Sequence, residues 1–405
     1  MSDKKYWQSF AELNNKEEFQ KRNSDEFKEE LPFEDLDGKG WLDAKSPRRD
    51  FLKYLGFSTA AATIAASCEM PVRKAVPYVN RPEDVTPGVA KYYATTYVQD
   101  GDVLPMVAKV RDGRPIKLEG NALSTLTQGG TSARAQASVL DLYDTNRLTN
   151  PKRNTNGKFD EIPTYDQLDR AVASALAGVG GPVVLLTSTI NSPTTKQIIS
   201  EFLGKYAGSR HVQYDAVSYS GMLLANEATQ GRRGIPSYHF DRARVIVSLG
   251  ADFLGTWLSP VEFARQYSAG RKINEASPAM SKHYQFESHL SMTGASADER
   301  FTHRPSETGT VALALYAALS GQATANIADA KLKAGIQKVA ADLQKNRGAA
   351  LVVSGSNDPN VQIIVNAINS AIGAVGSTID WSAPVNYRQG IDKDMVDLVA
   401  QMNAG

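Results

Sequence analysis

The stretch that decides the fold is R-V-I-V-S-L-G, Arg244 to Gly250, in which apolar residues run almost continuously up to a glycine. A second stretch of this kind, A-A-L-V-V, covers 349–353 and leads into Ser354-Gly355-Ser356. Short Val, Ile and Leu runs are typical of strands buried on both faces of a parallel sheet. The two stretches therefore predict two buried parallel strands, each of which ends at a small polar turn.

Strand and helix patterns alternate on both sides of these two stretches. Further short apolar strands are predicted at 182–186 and 212–214, and a helix is predicted to begin at Ser192-Pro193. The other predicted helices cover 166–176, 222–229, 310–319, 327–343, 361–372 and 391–402. Because short strands that alternate with amphipathic helices form a parallel sheet covered on both faces, we predict an α/β body over 161–405.

Composition excludes several classes of protein. The chain has 405 residues, a net charge of +1, 42% apolar residues and 22% charged residues, an ordinary globular composition without the basic surplus of nucleic-acid-binding proteins. Its single cysteine, Cys68, leaves no thiolates for a disulfide, a zinc site, an iron–sulfur cluster or a haem attachment motif. We expect neither a nucleic-acid partner nor a thiolate-ligated cofactor within 1–405.

A small β-rich subdomain is predicted over 98–160, ahead of the α/β body. The runs 105–110 and 115–118 flank Asp112-Gly113, and Asp-Gly between two apolar runs is a strong β-hairpin signal. The preceding segment, 68–97, contains four prolines and ends in a strand-like run at 91–97, so we interpret it as a tether.

An export and anchoring signal is predicted over 1–67. S-P-R-R-D-F-L-K, from Ser46 to Lys53, places paired arginines before a mildly apolar segment that ends in A-A-S-C at Cys68. Such arginines direct folded proteins to the twin-arginine pathway, and small residues before a cysteine resemble a lipobox. The predicted signal residues are Arg48, Arg49, Phe51, Leu52 and Lys53.

Lipidation at Cys68 would place the chain on the periplasmic face of the bacterial inner membrane. Polar residues interrupt the apolar segment, which is therefore a poor transmembrane span. The alternative interpretations are a chance Arg-Arg pair and a cysteine that is simply buried. We favour the signal because its parts occur in order and at workable spacing.

The segment 117–153 carries a longer pattern: a Gly-Asn turn, a Gly-Gly pair, a helix, and Y-D-T-N-R-L at 143–148. This segment resembles the signature of molybdopterin oxidoreductases, in which Gly-Gly leads into a cluster cysteine and a lysine. The resemblance implies a molybdopterin-oxidoreductase-like α/β fold. At the cluster-cysteine position this sequence has Ser132, and at the lysine position it has Arg134, so both are interpreted as vestigial.

The amino-terminal sequence narrows the resemblance. K-Y-W-Q-S-F-A-E-L-N-N-K-E-E-F, at 5–19, followed by the paired arginines, is similar to the extended signal of molybdopterin-oxidoreductase-like proteins with ferredoxin-like extensions. Within them it resembles the large iron–sulfur subunit of alternative complex III, a bacterial quinol-oxidising complex. That resemblance implies integral-membrane quinol-binding subunits, cytochrome c subunits and a terminal oxidase as partners. It also implies a ferredoxin-like region beyond Gly405, to which any iron–sulfur clusters would be confined.

Candidate cofactor-site positions lie where the two buried strands end, because ligands of doubly wound sheets bind at the carboxyl ends of strands. These positions are Gly250, Asp252, Ser354 and Gly355. In the resembled family such loops, with the segment from Met292 to Thr308, frame the pterin. Without cluster cysteines we interpret all of these positions as vestigial, and we expect no catalytic residue, no metal site and no cofactor apart from covalent lipid at Cys68.

Other candidate ligands have weak signals. Ser218 and Ser220 could in principle ligate a metal, although serines at such positions are usually helix caps. The five histidines, His211, His239, His283, His289 and His303, show no metal-ligand spacing, and we expect surface or satisfied core residues. We therefore interpret the chain as a non-catalytic scaffold subunit of a membrane-bound quinol-oxidising electron-transfer complex, as the resemblance implies. Two alternatives remain open: an active molybdenum oxidoreductase, and a free periplasmic lipoprotein that binds a small molecule.

Overall fold

A four-stranded parallel sheet forms the centre of the protein in the computed structural model. Its order is β11-β10-β9-β12, where β9 is Val245–Leu249, β10 is Lys282–Glu287, β11 is Glu299–Thr302 and β12 is Ala350–Ser354. Every residue of β9 and β12 is buried. The continuous apolar runs therefore mark strands covered on both faces, and the predicted α/β fold is confirmed.

The structure describes residues 86, 88–99, 102–273, 278–322 and 327–404. The predicted signal residues Arg48, Arg49, Phe51, Leu52 and Lys53, the lipidation site Cys68, and the tether up to Pro87, apart from Thr86, lie outside these ranges. Within the ranges, no helix combines the length and the apolar character that crossing a bilayer requires.

Long helices pack around the central sheet. Apart from short 3-10 turns, the helices in the described residues are α1 Ala133–Ala137, α2 Tyr165–Ala177, α3 Pro193–Leu203, α4 Ser220–Gln230, α5 Pro260–Arg271, α6 Met292–Ala295, α7 Thr308–Ser320, α8 Ala330–Lys345, α9 Pro359–Ala371 and α10 Asp392–Ala404. Helix α7 contacts both α8 and α9, and α9 also contacts α4. These helices cover the sheet and enclose its core.

The core of the body combines aliphatic strand residues with a group of aromatic rings. Phe240 is fully buried and stacks on Phe253, with ring centroids 4.4 Å apart. Phe263 lies against Phe240, and Trp257 lies against Phe263. Phe253 and Trp257 lie between β9 and α5, so the aromatic group anchors the loop that leaves the sheet at Gly250.

The β-rich region contains a three-stranded antiparallel sheet of β1 Lys91–Gln99, β2 Asp102–Arg111 and β3 Arg114–Gly120, and it extends to a hairpin of β4 Lys152–Thr155 and β5 Lys158–Glu161. Asp112 and Gly113, between β2 and β3, have φ values of 50° and 77°, as the predicted Asp-Gly hairpin requires. Strand β1 includes residues 91–97, at the end of the predicted tether. The small core of the β-rich region consists of Leu104, Met106 and Ala135.

Three pairs of strands complete the described structure. They are the antiparallel hairpin β4 Lys152–Thr155 with β5 Lys158–Glu161, the parallel pair β6 Val184–Thr187 with β7 Arg210–Gln213, and the antiparallel pair β8 Ile235–Tyr238 with β13 Ile379–Val385. Strands β8, β10, β11 and β13 and helix α5 were not predicted, and α8 begins at Ala330 where Asp329 caps it, three residues after the predicted start.

Candidate functional site

The candidate site is a cleft at the carboxyl ends of β9 and β12. Leu249 and Ser354 are paired across the two parallel strands, so both strand-exit turns meet at one edge of the sheet. The Gly355 amide donates to the Leu249 carbonyl at 3.1 Å. A Cβ at Gly355 would lie 2.3 Å from the carbonyl oxygen of Gly250, which explains the glycine by close backbone approach. The predicted Gly250 and Gly355 are thus brought together.

The cleft has a volume of about 830 Å³ and a wall that mixes polar and apolar groups. Serine and threonine hydroxyls lie beside carboxylates, the indole of Trp257, and the side chains of His289 and His303. The described residues that line it include no lysine or arginine, whereas Asp252, Glu287 and Asp358 contribute carboxylates. The wall can therefore hydrogen-bond a ligand, but it offers no permanent positive charge to an anionic one.

Asp252 holds two loops of the cleft together. Its Oδ1 accepts from the Thr293 hydroxyl at 2.7 Å and from the Thr293 amide at 3.1 Å. Its backbone carbonyl also accepts from the amides of Gly255, Thr256 and Trp257. Since this side chain already joins the loop after β9 to α6, a structural role accounts for the predicted residue.

Glu287 is a buried carboxylate with several donors. Its oxygens accept from Arg300 Nε at 2.5 Å, from the Ser291 hydroxyl at 2.6 Å and from Gln285 Nε2 at 3.1 Å. Burial alone would raise the pKa of Glu287, but these hydrogen bonds outweigh it and hold the pKa below its usual range. Glu287 is therefore an ionised, fully engaged part of the wall.

A polar chain connects Glu287 to a buried histidine along β10. Gln285 Oε1 lies 3.3 Å from Nε2 of His283, and the Tyr267 hydroxyl lies 3.1 Å from Nδ1. Burial lowers the pKa of His283 to about 4, against the opposing effect of Gln285. Because both ring nitrogens have partners and the residue is fully buried, His283 is the satisfied core histidine that the sequence predicted.

Two residues of the cleft, His303 and Trp257, each have a buried nitrogen without a hydrogen-bond partner among the described residues. His303 Nδ1 lies 2.8 Å from the Arg304 carbonyl, which can only accept, so in the neutral ring Nε2 carries the lone pair. That Nε2 and the indole Nε1 of the buried Trp257 have no hydrogen-bond partner among the described residues. The resemblance placed the segment from Met292 to Thr308, which contains His303, at this site, whereas sequence reasoning did not assign His289 or Trp257 to it, and no spacing rule could have done so.

The two signature residues line a different cavity. Ser132 and Arg134 border a space of about 240 Å³, where the β-rich region meets the start of α5. The Ser132 hydroxyl accepts from the Ala135 amide at 3.2 Å and caps α1, while Arg134 lies 3.7 Å from Asp102. A helix cap and an ion pair account for the two residues that the resemblance assigns to the cluster signature.

The remaining predicted serines also contact backbone. Ser218 accepts from the Ser220 amide at 3.0 Å, and Ser220 accepts from the Asp392 amide at 3.2 Å. Ser218 borders the cleft, whereas Ser220 is buried. The buried Ser354 hydroxyl lies 3.2 Å from the Leu249 carbonyl and is not part of the cleft wall. These serines stabilise turns and helix ends.

The charged side chains of the cleft do not fit a phosphate-bearing pterin cofactor, although the first residues of α7, Thr308 and Gly309, bring the amino end of a helix to its wall. Such a cofactor carries several negative charges, which proteins usually meet with lysine, arginine or free amides at helix ends. Among the described wall residues the charged groups are carboxylates. No group of three histidine, cysteine, aspartate or glutamate side chains in the described part of the chain could hold a metal ion.

Comparison with known proteins indicates a distant relationship. No family model matches the chain. The chain is 26% identical over 168 residues to the menaquinone reductase, molybdopterin-binding-like subunit, of Nitratidesulfovibrio vulgaris, a match that covers 39% of this chain and 23% of that protein. It is 25% identical over 276 residues to the arsenate respiratory reductase molybdopterin-containing subunit of Shewanella, covering 64% of this chain and 30% of that protein.

These matches show a relationship to molybdopterin-binding reductase subunits, as the signature resemblance implied. The matched parts span about a quarter to a third of the length of these curated relatives. Among solved structures, a chain of the formyltransferase/hydrolase complex of Methylorubrum extorquens is similar to this chain. The match covers 56% of this chain and 58% of that chain, with 16% identity and a TM-score of 0.39.

Proposed function

We propose that the chain is a non-catalytic, molybdopterin-oxidoreductase-like scaffold subunit of a membrane-bound quinol-oxidising complex of the alternative complex III type. The observation that carries the proposal is Ser132. It occupies the cluster-cysteine position of the signature and caps α1, and the single cysteine of the chain lies at position 68. A cubane cluster needs four thiolates, so this chain has no means of ligating one.

The charge of the cleft supports the same proposal. Carboxylates without lysine or arginine in the described wall disfavour an anionic pterin cofactor. The strand-exit turns are explained by packing, since Gly355 fits against Gly250 and Asp252 joins two loops. The family fold can therefore persist as a core and a docking surface without metal chemistry.

The proposed complex contains integral-membrane quinol-binding subunits, cytochrome c subunits and a ferredoxin-like iron–sulfur region, with a terminal oxidase as a further candidate. The molybdopterin-type subunits to which the chain is related support a place in such an assembly. We place the chain on the periplasmic face of the inner membrane, exported through Arg48 and Arg49 and anchored by lipid at Cys68. Two or three acyl chains retain a protein on a bilayer from which one chain would dissociate.

Metal analysis of the complex purified from native membranes tests the scaffold role. We expect no molybdenum or tungsten, and iron only in haem and in clusters ligated outside residues 1–405. Stoichiometric molybdenum or tungsten assigned to this chain would instead establish the active oxidoreductase. Mass spectrometry of the mature chain tests the anchor, because an unmodified Cys68 thiol or a retained Met1 would contradict it.

The cleft volume of about 830 Å³ favours a second candidate, a free periplasmic lipoprotein that binds a small molecule. Co-purification separates the two. A scaffold subunit should remain with haem-containing and membrane subunits through two chromatographic steps in mild detergent. A free binding protein should elute alone, and recovery without partners from gently solubilised membranes would therefore overturn the complex proposal.

A further inference from the structure

A second cavity, of about 280 Å³, lies outside the cleft. Its walls come from segments far apart in the sequence: His211 and Gln213 of β7, Leu223 of α4, and residues between β13 and α10. Leu223 and Ile391 are buried and form an apolar base. Polar side chains surround that base, so the cavity combines an apolar base with a hydrogen-bonding rim.

Arg388 is the unpaired cation of this rim. One guanidinium nitrogen, Nη1, donates to the adjacent Tyr387 carbonyl at 3.1 Å. The other N–H groups of the half-buried Arg388 have no acceptor among the residues that the structure describes, and no carboxylate there lies within ion-pair distance. A planar guanidinium with free N–H groups is suited to bidentate binding of a carboxylate or a phosphate.

The charges around the cavity nearly balance, because Asp394 and the Asp215 carboxylate, which accepts from the Gln389 and Gly390 amides, oppose Arg388 and Lys196. Arg233 also borders the cavity, but Glu227 neutralises it through contacts of 2.7 and 2.9 Å. Lys196 donates to Gln389, a wall residue, at 2.9 Å and has no carboxylate partner in the described ranges. Asp394 is the one carboxylate among the described wall residues, and its charge opposes those of Arg388 and Lys196.

His211 adds a hydrogen-bond acceptor to the wall. The Thr187 hydroxyl donates to the Ser188 carbonyl, so it accepts from Nε2 of His211, and Nδ1 of the neutral ring is left with its lone pair. Burial, followed by the charge of Lys196, lowers the pKa of His211, which keeps the ring neutral near pH 7. This acceptor can receive a hydroxyl or amide proton from a ligand.

We infer that this cavity binds a small oxyanion, a carboxylate or a phosphate, with Arg388 as its main ligand. The inference does not depend on the proposed scaffold role. A cavity of this size accommodates a compact ligand and not a nucleotide cofactor. Asp394 lowers the affinity and favours ligands that also present a donor on that side.

Isothermal titration calorimetry of the full chain with sodium phosphate or sodium succinate, against sodium chloride at matched ionic strength, tests the inference. The wild type should bind at least one of the two oxyanions saturably, and the tighter of them identifies the class. Arg388→Gln should weaken binding by about tenfold or more. Arg388→Lys, which keeps the charge but loses the bidentate geometry, should give an intermediate affinity.

Two further variants complete the test. Arg347→Gln removes an exposed arginine that is not in this wall and should leave binding unchanged. Asp394→Asn should strengthen binding, because it removes the opposing carboxylate. Absence of saturable binding by the wild type, or equal binding by Arg388→Gln and the wild type with circular dichroism unchanged, would overturn the inference.

Discussion

The α/β body and the β-rich region differ in how they use apolar residues. The body buries its apolar strands and the aromatic group around Phe240 in one continuous cluster. The β-rich region buries Leu104, Met106 and Ala135, yet it exposes Tyr92 by 58% and Phe159 by 65%. Packing in the body therefore determines most of the stability, whereas the small core of the β-rich region contributes less.

The largest expected effect comes from truncating an aromatic ring in the body. Phe240→Ala should lower the free energy of unfolding by about 3–5 kcal/mol, because it opens a cavity beside Phe253 and Phe263. Phe159→Ala, at an exposed position of the β-rich region, should change it by less than about 0.5 kcal/mol. Urea denaturation followed by circular dichroism measures both. Equal losses would contradict the contrast between the two regions.

The polar chain in the body should make stability depend on pH. The pKa of buried His283 is about 4, below its ordinary value of 6.5, so the unfolded state binds the proton more tightly. The stability due to neutral His283 is complete above pH 6.5, decreases as the pH falls towards 4, and levels off below that. The free energy of unfolding that neutral His283 contributes should fall by roughly 3 kcal/mol between pH 6.5 and pH 4 and below.

Denaturation at several pH values between 7.5 and 4 measures this effect. His283→Gln should remove most of the slope in that window, while His289→Gln in the cleft wall should preserve it. The measurement stops at pH 4 because Asp298 would contribute below that. Hydrogen bonds from Arg271 lower the pKa of Asp298, so the stability that this carboxylate provides is lost only under more acidic conditions. An unchanged slope in His283→Gln would exclude His283 as the source.

A smaller effect is expected at the floor of the cleft. Gly355→Ala should lower the free energy of unfolding by about 1–3 kcal/mol. The added Cβ would lie 2.3 Å from the Gly250 carbonyl oxygen and would push the two strand exits apart. Gly181→Ala is the matched control, since a Cβ there meets nothing within 4 Å. Thermal denaturation compares the two variants. A tolerated Gly355→Ala would show that the strand exits can separate without cost.

Sequence patterns predicted the parts of the fold whose burial matches their hydrophobicity. β9 and β12 are continuous apolar runs, and the Asp112-Gly113 turn has the positive φ values that its residues favour. β10, K-H-Y-Q-F-E, was not predicted because it buries His283, Gln285 and Glu287 in a hydrogen-bonded chain. Burial of these polar residues depends on tertiary partners that a local pattern does not contain.

The candidate site was predictable to a similar extent. Parallel strands end at one edge, and that rule located Gly250, Asp252 and Gly355. It could not show that Ser354 faces inward to the Leu249 carbonyl, or that His289 would reach the same cleft. The resemblance placed Ser132 and Arg134 with these positions, whereas the structure places them in a separate cavity.

The smallest effect is expected at Ser132 and separates a helix cap from a vestigial ligand. Ser132→Ala should lower the free energy of unfolding by about 0.5–1 kcal/mol, because the Ser132 hydroxyl accepts from the Ala135 amide and α1 has only five residues. Ser192→Ala is a close match, since Ser192 caps α3 through the Thr195 amide at the same 3.2 Å distance. Calorimetric melting should show similar losses, and a much larger loss at Ser132 would indicate a role beyond capping.

Ser132→Cys extends the comparison to the chemistry of the signature. A thiol is a weak acceptor, so the cap should weaken about as much as in the alanine variant. One restored thiolate cannot hold a cubane that requires four, so iron content after anaerobic reconstitution should equal that of the wild type. If the cysteine variant bound stoichiometric iron, the β-rich region would retain a preformed cluster site, and the contrast between a structural body and a chemically silent β-rich region would fail.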